Sequence, residues 1–101
     1  MLVELLYCSV SVAYQITNVD LEHILDSARR RNLEEGITGV LLYYRGAFVQ
    51  ILEGSEESVE NVYEKFIGPD LRHTALNKVY QNTISHRSFS QCVNSPKLKT
   101  I

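Results

Sequence analysis

A chain of 101 residues, 45% hydrophobic and 22% charged, can build one two-layer core and has the composition of a globular domain. Its net charge of −2 argues against nucleic acid as a main partner, because phosphate recognition needs a basic face. No apolar run approaches the ~20 residues of a membrane span, and MLVELLYC holds an acid and no basic region, so no membrane partner and a cytoplasmic location are expected.

LVELLYCSV (2–10) reads as a first strand with Val3, Leu5, Tyr7 and Ser9 on one face. Thr17-Asn18 with Asp20 behind it signals a helix start, and Leu21, Ile24, Leu25, Ala28 and Asn32 form its inner stripe, to about Asn32. Arg29-Arg30-Arg31 falls at the expected end of that helix, where it suits the negative end of the helix dipole. GITGVLLYY (36–44) is a second strand, and Arg45-Gly46 is a tight turn into a third, 47–53.

The third strand poses a question of its own. In GAFVQILEG, Phe48, Gln50 and Leu52 share one face, Val49 and Ile51 the other, so both faces are apolar apart from one amide. An unpaired buried amide costs about 1–3 kcal/mol, so Gln50 needs a partner: a neighbouring strand or loop, or something that is not protein.

Ser55 can cap a second helix, with Glu56 and Glu57 in its first turn and Val59, Val62, Tyr63 and Phe66 as its buried stripe. Gly68-Pro69-Asp70 stops it, residues 74–84 contain a fourth strand, and a short fifth is expected through 88–93. The order βαββαβ(β) predicts an α+β, ferredoxin-like domain over 1–94: a mixed four- to five-stranded sheet with both helices on one face. The closing SPKLKTI reads as a linker or cut end (95–101), and the helix-free face is expected to be covered by residues after 85, a partner subunit or a further C-terminal region.

Cys8 and Cys92 are too few and too far apart for a zinc or redox pair, and His23, His73 and His86 lack metal-binding spacing. Glycine-rich nucleotide loops and nucleophile elbows are absent. What does converge is a set of polar groups on the helix-covered side: Tyr7, Gln50, Asn32 and the segment Asp70-Leu71-Arg72-His73. With Ile24, Leu25 and Phe66 as walls, a slot between the helices would suit a flat, hydrogen-bonding heterocycle. Tyr, Asn and Gln that simply satisfy one another are the plainer alternative.

The chain resembles the BLUF domain, a flavin-binding blue-light sensor. The residues that carry the resemblance are Tyr7-Cys8-Ser9, Asn32 with Gly36-Ile37-Thr38-Gly39, Phe48 to Gly54 (F-x-Q-x-L-E-G), Asp70-Leu71-Arg72-His73-Thr74 and Arg87-Ser88-Phe89. The resemblance implies a noncovalent flavin, FAD by family habit with FMN as the variant, lying between the two helices. It implies Asn32 on the flavin's N3 and C4=O edge, Gln50 bridging Tyr7 to N5 and O4, Arg72 near C2=O, and Lys65 toward the ribityl phosphate. Asp70 and His73 belong to the same motif. Ile24 and Phe66 would flank the ring. A light-driven Tyr7-to-flavin electron and proton transfer through Gln50 is implied, with signalling to an effector protein or domain and no enzymatic turnover.

Three features depart from the family pattern. Cys92 and Asn94 stand where a Trp and a Met are usual, Ile67-Gly68-Pro69-Asp70 is one residue longer than the common spacing, and Arg31 replaces an Asn or His. The competing function is an interaction domain on the same fold without photochemistry, with or without flavin. The sequence leaves a homo-oligomer open.

Overall fold

Burial alternates along β1 (Leu2–Ser11): Val3, Leu5, Tyr7, Ser9 and Ser11 are buried, and the residues between them are exposed or half-buried. The computed structural model describes residues 1–11, 17–69, 73–90 and 98–101. Within these, β1 is followed by α1 (Asn18–Glu35), β2 (Thr38–Tyr44), β3 (Ala47–Ser55), α2 (Glu56–Val62) continuing into a π-helical turn (Tyr63–Ile67), β4 (His73–Thr83) and β5 (Leu98–Thr100).

The sheet has five strands in the order β4-β1-β3-β2-β5, and every neighbouring pair is antiparallel. The expected mixed sheet is therefore corrected to an antiparallel one. Each helical crossover does join strands that run the same way, but another strand lies between them: β3 separates β1 from β2, and β1 separates β3 from β4. Both helices cover one face, and their inner residues Leu25, Ala28, Val59 and Val62 join Val3, Leu5, Tyr7, Leu41, Phe48 and Leu52 in one core.

Local chemistry fixes the helix that carries Asn32. Thr17 and Asp20 form a capping box, side chain to backbone in both directions at 3.1 Å. At the other end Gly36 is left-handed (φ 68°), and the Ile37 N–H returns to the Asn32 carbonyl at 2.8 Å, so the helix end is tied to the start of β2. The helix thus outruns its expected end by nearly a turn, and the arginine run does not sit in its last turn. Instead of answering the dipole, Arg29 Nε donates to the Thr100 carbonyl (3.1 Å) and Arg31 Nε to Asn32 Oδ1 (3.3 Å).

Between β2 and β3, Arg45 (φ 49°) and Gly46 (φ 83°) make the type I′ turn that suits strand twist. Gly39 serves close approach: a Cβ there would lie 2.0 Å from the Ile51 carbonyl oxygen on β3.

The second helix departs from its expected stripe. Gly68 N–H bonds the Tyr63 carbonyl at 2.8 Å, a five-residue step that widens the last turn. The extra residue turns Ile67 inward (4% exposed) and leaves Phe66 45% exposed.

Among the described residues the fifth strand is Leu98–Thr100, pairing antiparallel with β2. Residues 88–90 are not strand, and 91–93 lie outside the described residues. Part of the stretch expected as a linker therefore extends the sheet, and Ile101 is buried with its N–H on the Gly39 carbonyl at 3.0 Å. One of the covers expected for the helix-free face is visible: residues 87–89 fold over it at Glu53.

Candidate functional site

Tyr7 and Gln50 stand directly opposite each other on the adjacent strands β1 and β3, with their side chains on the helix-covered face. Tyr7 is fully buried, and its hydroxyl donates to Gln50 Oε1. With its oxygen engaged by the phenol, Gln50 keeps an NH2 group that carries no hydrogen bond among the described residues. A primary amide between a phenol and a second polar group can accept from one and donate to the other.

Asn32 lies on the inner face of α1, 1% exposed. Arg31 holds its oxygen, while its Nδ2 is a buried nitrogen with no hydrogen-bond partner among the described residues. Native interiors rarely leave such a donor unpaired, because the desolvation cost is about 1–3 kcal/mol. The orphaned amide is therefore a donor awaiting an acceptor in the layer between sheet and helices, where α1 and α2 touch only sparsely. A heterocycle with ring carbonyls fits this donor set, so the residues present suit a flavin. Arg31, a departure from the family pattern in sequence, here orients the amide so that its donor is the free end.

Around Tyr7 the structure adds two residues that the sequence did not single out for the site. The Tyr63 ring meets the Tyr7 ring edge-on, with centroids 5.5 Å apart at 75°. The Lys78 ammonium lies 4.8 Å from the centre of the Tyr63 ring. A register shift puts Lys78 there: Leu6 pairs with Tyr80 but Tyr7 pairs with Lys78, so one extra residue of β4 bulges beside the site. In even register Tyr7 would face Val79. Burial, and secondarily the charge Cys8 would carry as a thiolate, pushes the Tyr63 phenol above its ordinary pKa.

Ile24 packs half-buried against the core, and Lys65 is exposed on the π-helical turn beside the outward Phe66. His73 begins β4 opposite Ser11. Asp70 and Arg72 lie outside the described residues, as do Cys92 and Asn94. Among the described residues no cluster of side chains could hold a metal ion, and no helix is long and apolar enough to cross a membrane.

A second polar cluster occupies the helix-free face. Glu53 is fully buried, and its carboxylate accepts from the Thr38 hydroxyl (3.0 Å), the Ser88 N–H (2.7 Å) and the Phe89 N–H (3.0 Å). Arg87 donates to Thr38 Oγ1 (2.9 Å) and to the carbonyls of Glu53 (3.0 Å) and Gly36 (2.8 Å). These contacts give L-E-G and Arg87-Ser88-Phe89 a structural role: they clamp the chain after β4 onto β2 and β3. Sequence reading had the residues but not the pairing, because thirty-odd positions separate the partners.

The family model for sensors of blue-light using FAD (BLUF) matches residues 2–94. Photoactivated adenylate cyclase subunit beta of Euglena longa is 42% identical over 74 residues, which is 73% of this chain and 8% of that protein. The BlsA ground-state structure superposes with a TM-score of 0.81 at 40% identity, covering 88% of this chain and 59% of the other. The dark-state structure of BlrB, described as a BLUF protein, gives 0.77 at 35% identity, covering 87% and 65%. The chain spans under a tenth of the cyclase subunit's length.

Proposed function

Because the chain belongs to the BLUF family of sensors of blue light using FAD, we propose that it is a photochemical switch in which Tyr7 and Gln50 are the reacting pair and Asn32 holds the flavin. The flavin supplies a light-generated one-electron oxidant. Tyr7 is the donor: its hydroxyl is already bonded to Gln50, so loss of an electron and of the phenolic proton toward the amide needs no prior movement. Gln50 relays that proton and rearranges its amide, and after recombination a changed hydrogen-bond pattern remains. Asn32 Nδ2 would donate to a ring carbonyl, Arg72 would contact a second ring carbonyl, and Lys65 would hold the ribityl phosphate. Asp70 and His73 would serve the same end of the flavin and Ile24 would flank the ring, whereas Phe66 faces outward. The supporting observation is the part-buried Tyr7–Gln50 bond, in direct cross-strand register, between a buried phenol and a half-buried amide.

The chain itself performs no turnover. It passes its state to an effector protein or domain in the cytoplasm, as the cyclase named among its relatives suggests. The test is spectroscopic: the purified protein should be yellow, release FAD on denaturation, and show a small reversible red shift of flavin absorbance under blue light. A colourless protein that takes up no added flavin would contradict this reading, and a yellow one without the shift would leave the interaction domain as the function.

A further inference from the structure

We propose that Lys78, held over the Tyr63 ring, is a positioning residue that confines the oxidising equivalent to Tyr7 by keeping the neighbouring Tyr63 from giving it an electron. This rests on the proposed role of Tyr7 as photochemical donor. Once Tyr7 has given up an electron and a proton it is a neutral phenoxyl radical, and Tyr63, in edge contact at 5.5 Å, is a ring that could refill it. In that leak an electron would pass from Tyr63 to Tyr7, Tyr7 would regain a proton, and Tyr63 would lose one. The hole would then sit one residue farther from the flavin and would not recombine through Gln50.

Two features of the fold oppose the leak. An ammonium on the ring face makes removal of an electron from that ring harder, by the same charge–quadrupole interaction that holds the pair together. In addition, no hydrogen bond among the described residues joins the Tyr63 hydroxyl to a base, and partial desolvation raises its pKa, so the phenol gives up its proton less readily. The bulge in β4 is what sets Lys78 at this point, directly across from Tyr7 in place of Val79. Lys78 is exposed, so its effect is modest: a cation–π contact at an exposed site corresponds to about a two- to five-fold bias.

The test uses Lys78→Met, Tyr63→Phe and the double variant in the flavin-loaded protein. Lys78→Met is expected to lower the quantum yield of the red-shifted state by about two- to five-fold, and Tyr63→Phe in that background is expected to restore it. In flavin-free protein, one-electron oxidation by azidyl radicals with magnetic-resonance detection should place about two to five times more radical on Tyr63 relative to Tyr7 when Lys78 is Met. An unchanged yield and radical ratio in Lys78→Met, or a loss that Tyr63→Phe does not restore, overturns the proposal. Failure of the donor reading itself is separate: it would appear as a red shift that survives Tyr7→Phe.

Discussion

Asn32 carries a buried NH2 group with no acceptor among the described residues, and that imbalance has opposite consequences with and without ligand. Asn32→Leu removes an unpaired donor from the core, so the flavin-free protein should gain about 1 kcal/mol in urea unfolding. The same substitution removes a bond to the flavin, so affinity measured by fluorescence titration should fall about ten-fold or more. Equal losses of stability in both states would mark Asn32 as an ordinary packing residue. Asn32, Tyr7 and Gln50 were legible in the sequence because each is a polar residue at a position whose periodicity demands burial. Tyr63 and Lys78 were not: Tyr63 fits an apolar stripe, and Lys78 faces Tyr7 only because β4 bulges, which no local pattern announces.

At the scale of elements, α1, β2, the turn and β3 follow from caps, periodicity and positive-φ positions, all short-range signals. The π-helical turn does not, since one widened turn rotates Ile67 inward and Phe66 outward without changing the composition. The clamp on the helix-free face is likewise a long-range feature. Glu53→Ala would leave the Thr38 hydroxyl and the N–H groups of Ser88 and Phe89 without their acceptor. A loss of about 3 kcal/mol is expected in urea unfolding, with faster hydrogen exchange at those two amides. Glu53→Gln retains an acceptor and should lose about 1 kcal/mol. An unperturbed Ser88 amide in Glu53→Ala would show that the clamp does not hold the segment.

For the whole molecule, the antiparallel order β4-β1-β3-β2-β5 brings Tyr7 and Gln50 to adjacent central strands, under both helices and away from the sheet edges. The crossover pattern predicted both helices on one face but a mixed sheet, and the strand at Leu98–Thr100 could not be foreseen, because three residues pairing with β2 carry no periodic signal of their own. A ligand seated in the layer between sheet and helices binds only the folded chain. Free flavin at about 100 times its dissociation constant should therefore stabilise the fold by about 2.7 kcal/mol, raising the melting temperature by about 10–20 °C for a chain of this size. A melting temperature independent of flavin concentration would place the ligand outside the core.

The central claim is that Gln50 couples a phenol to a flavin and is not a satisfied core amide. The light-minus-dark absorbance spectrum of Gln50→Leu tests it most directly, because leucine keeps the volume while removing both donor and acceptor, at a cost of about 1–3 kcal/mol. The variant is expected to fold, to bind flavin and to show no red shift under blue light that shifts the natural sequence. A full red shift in Gln50→Leu would contradict the claim.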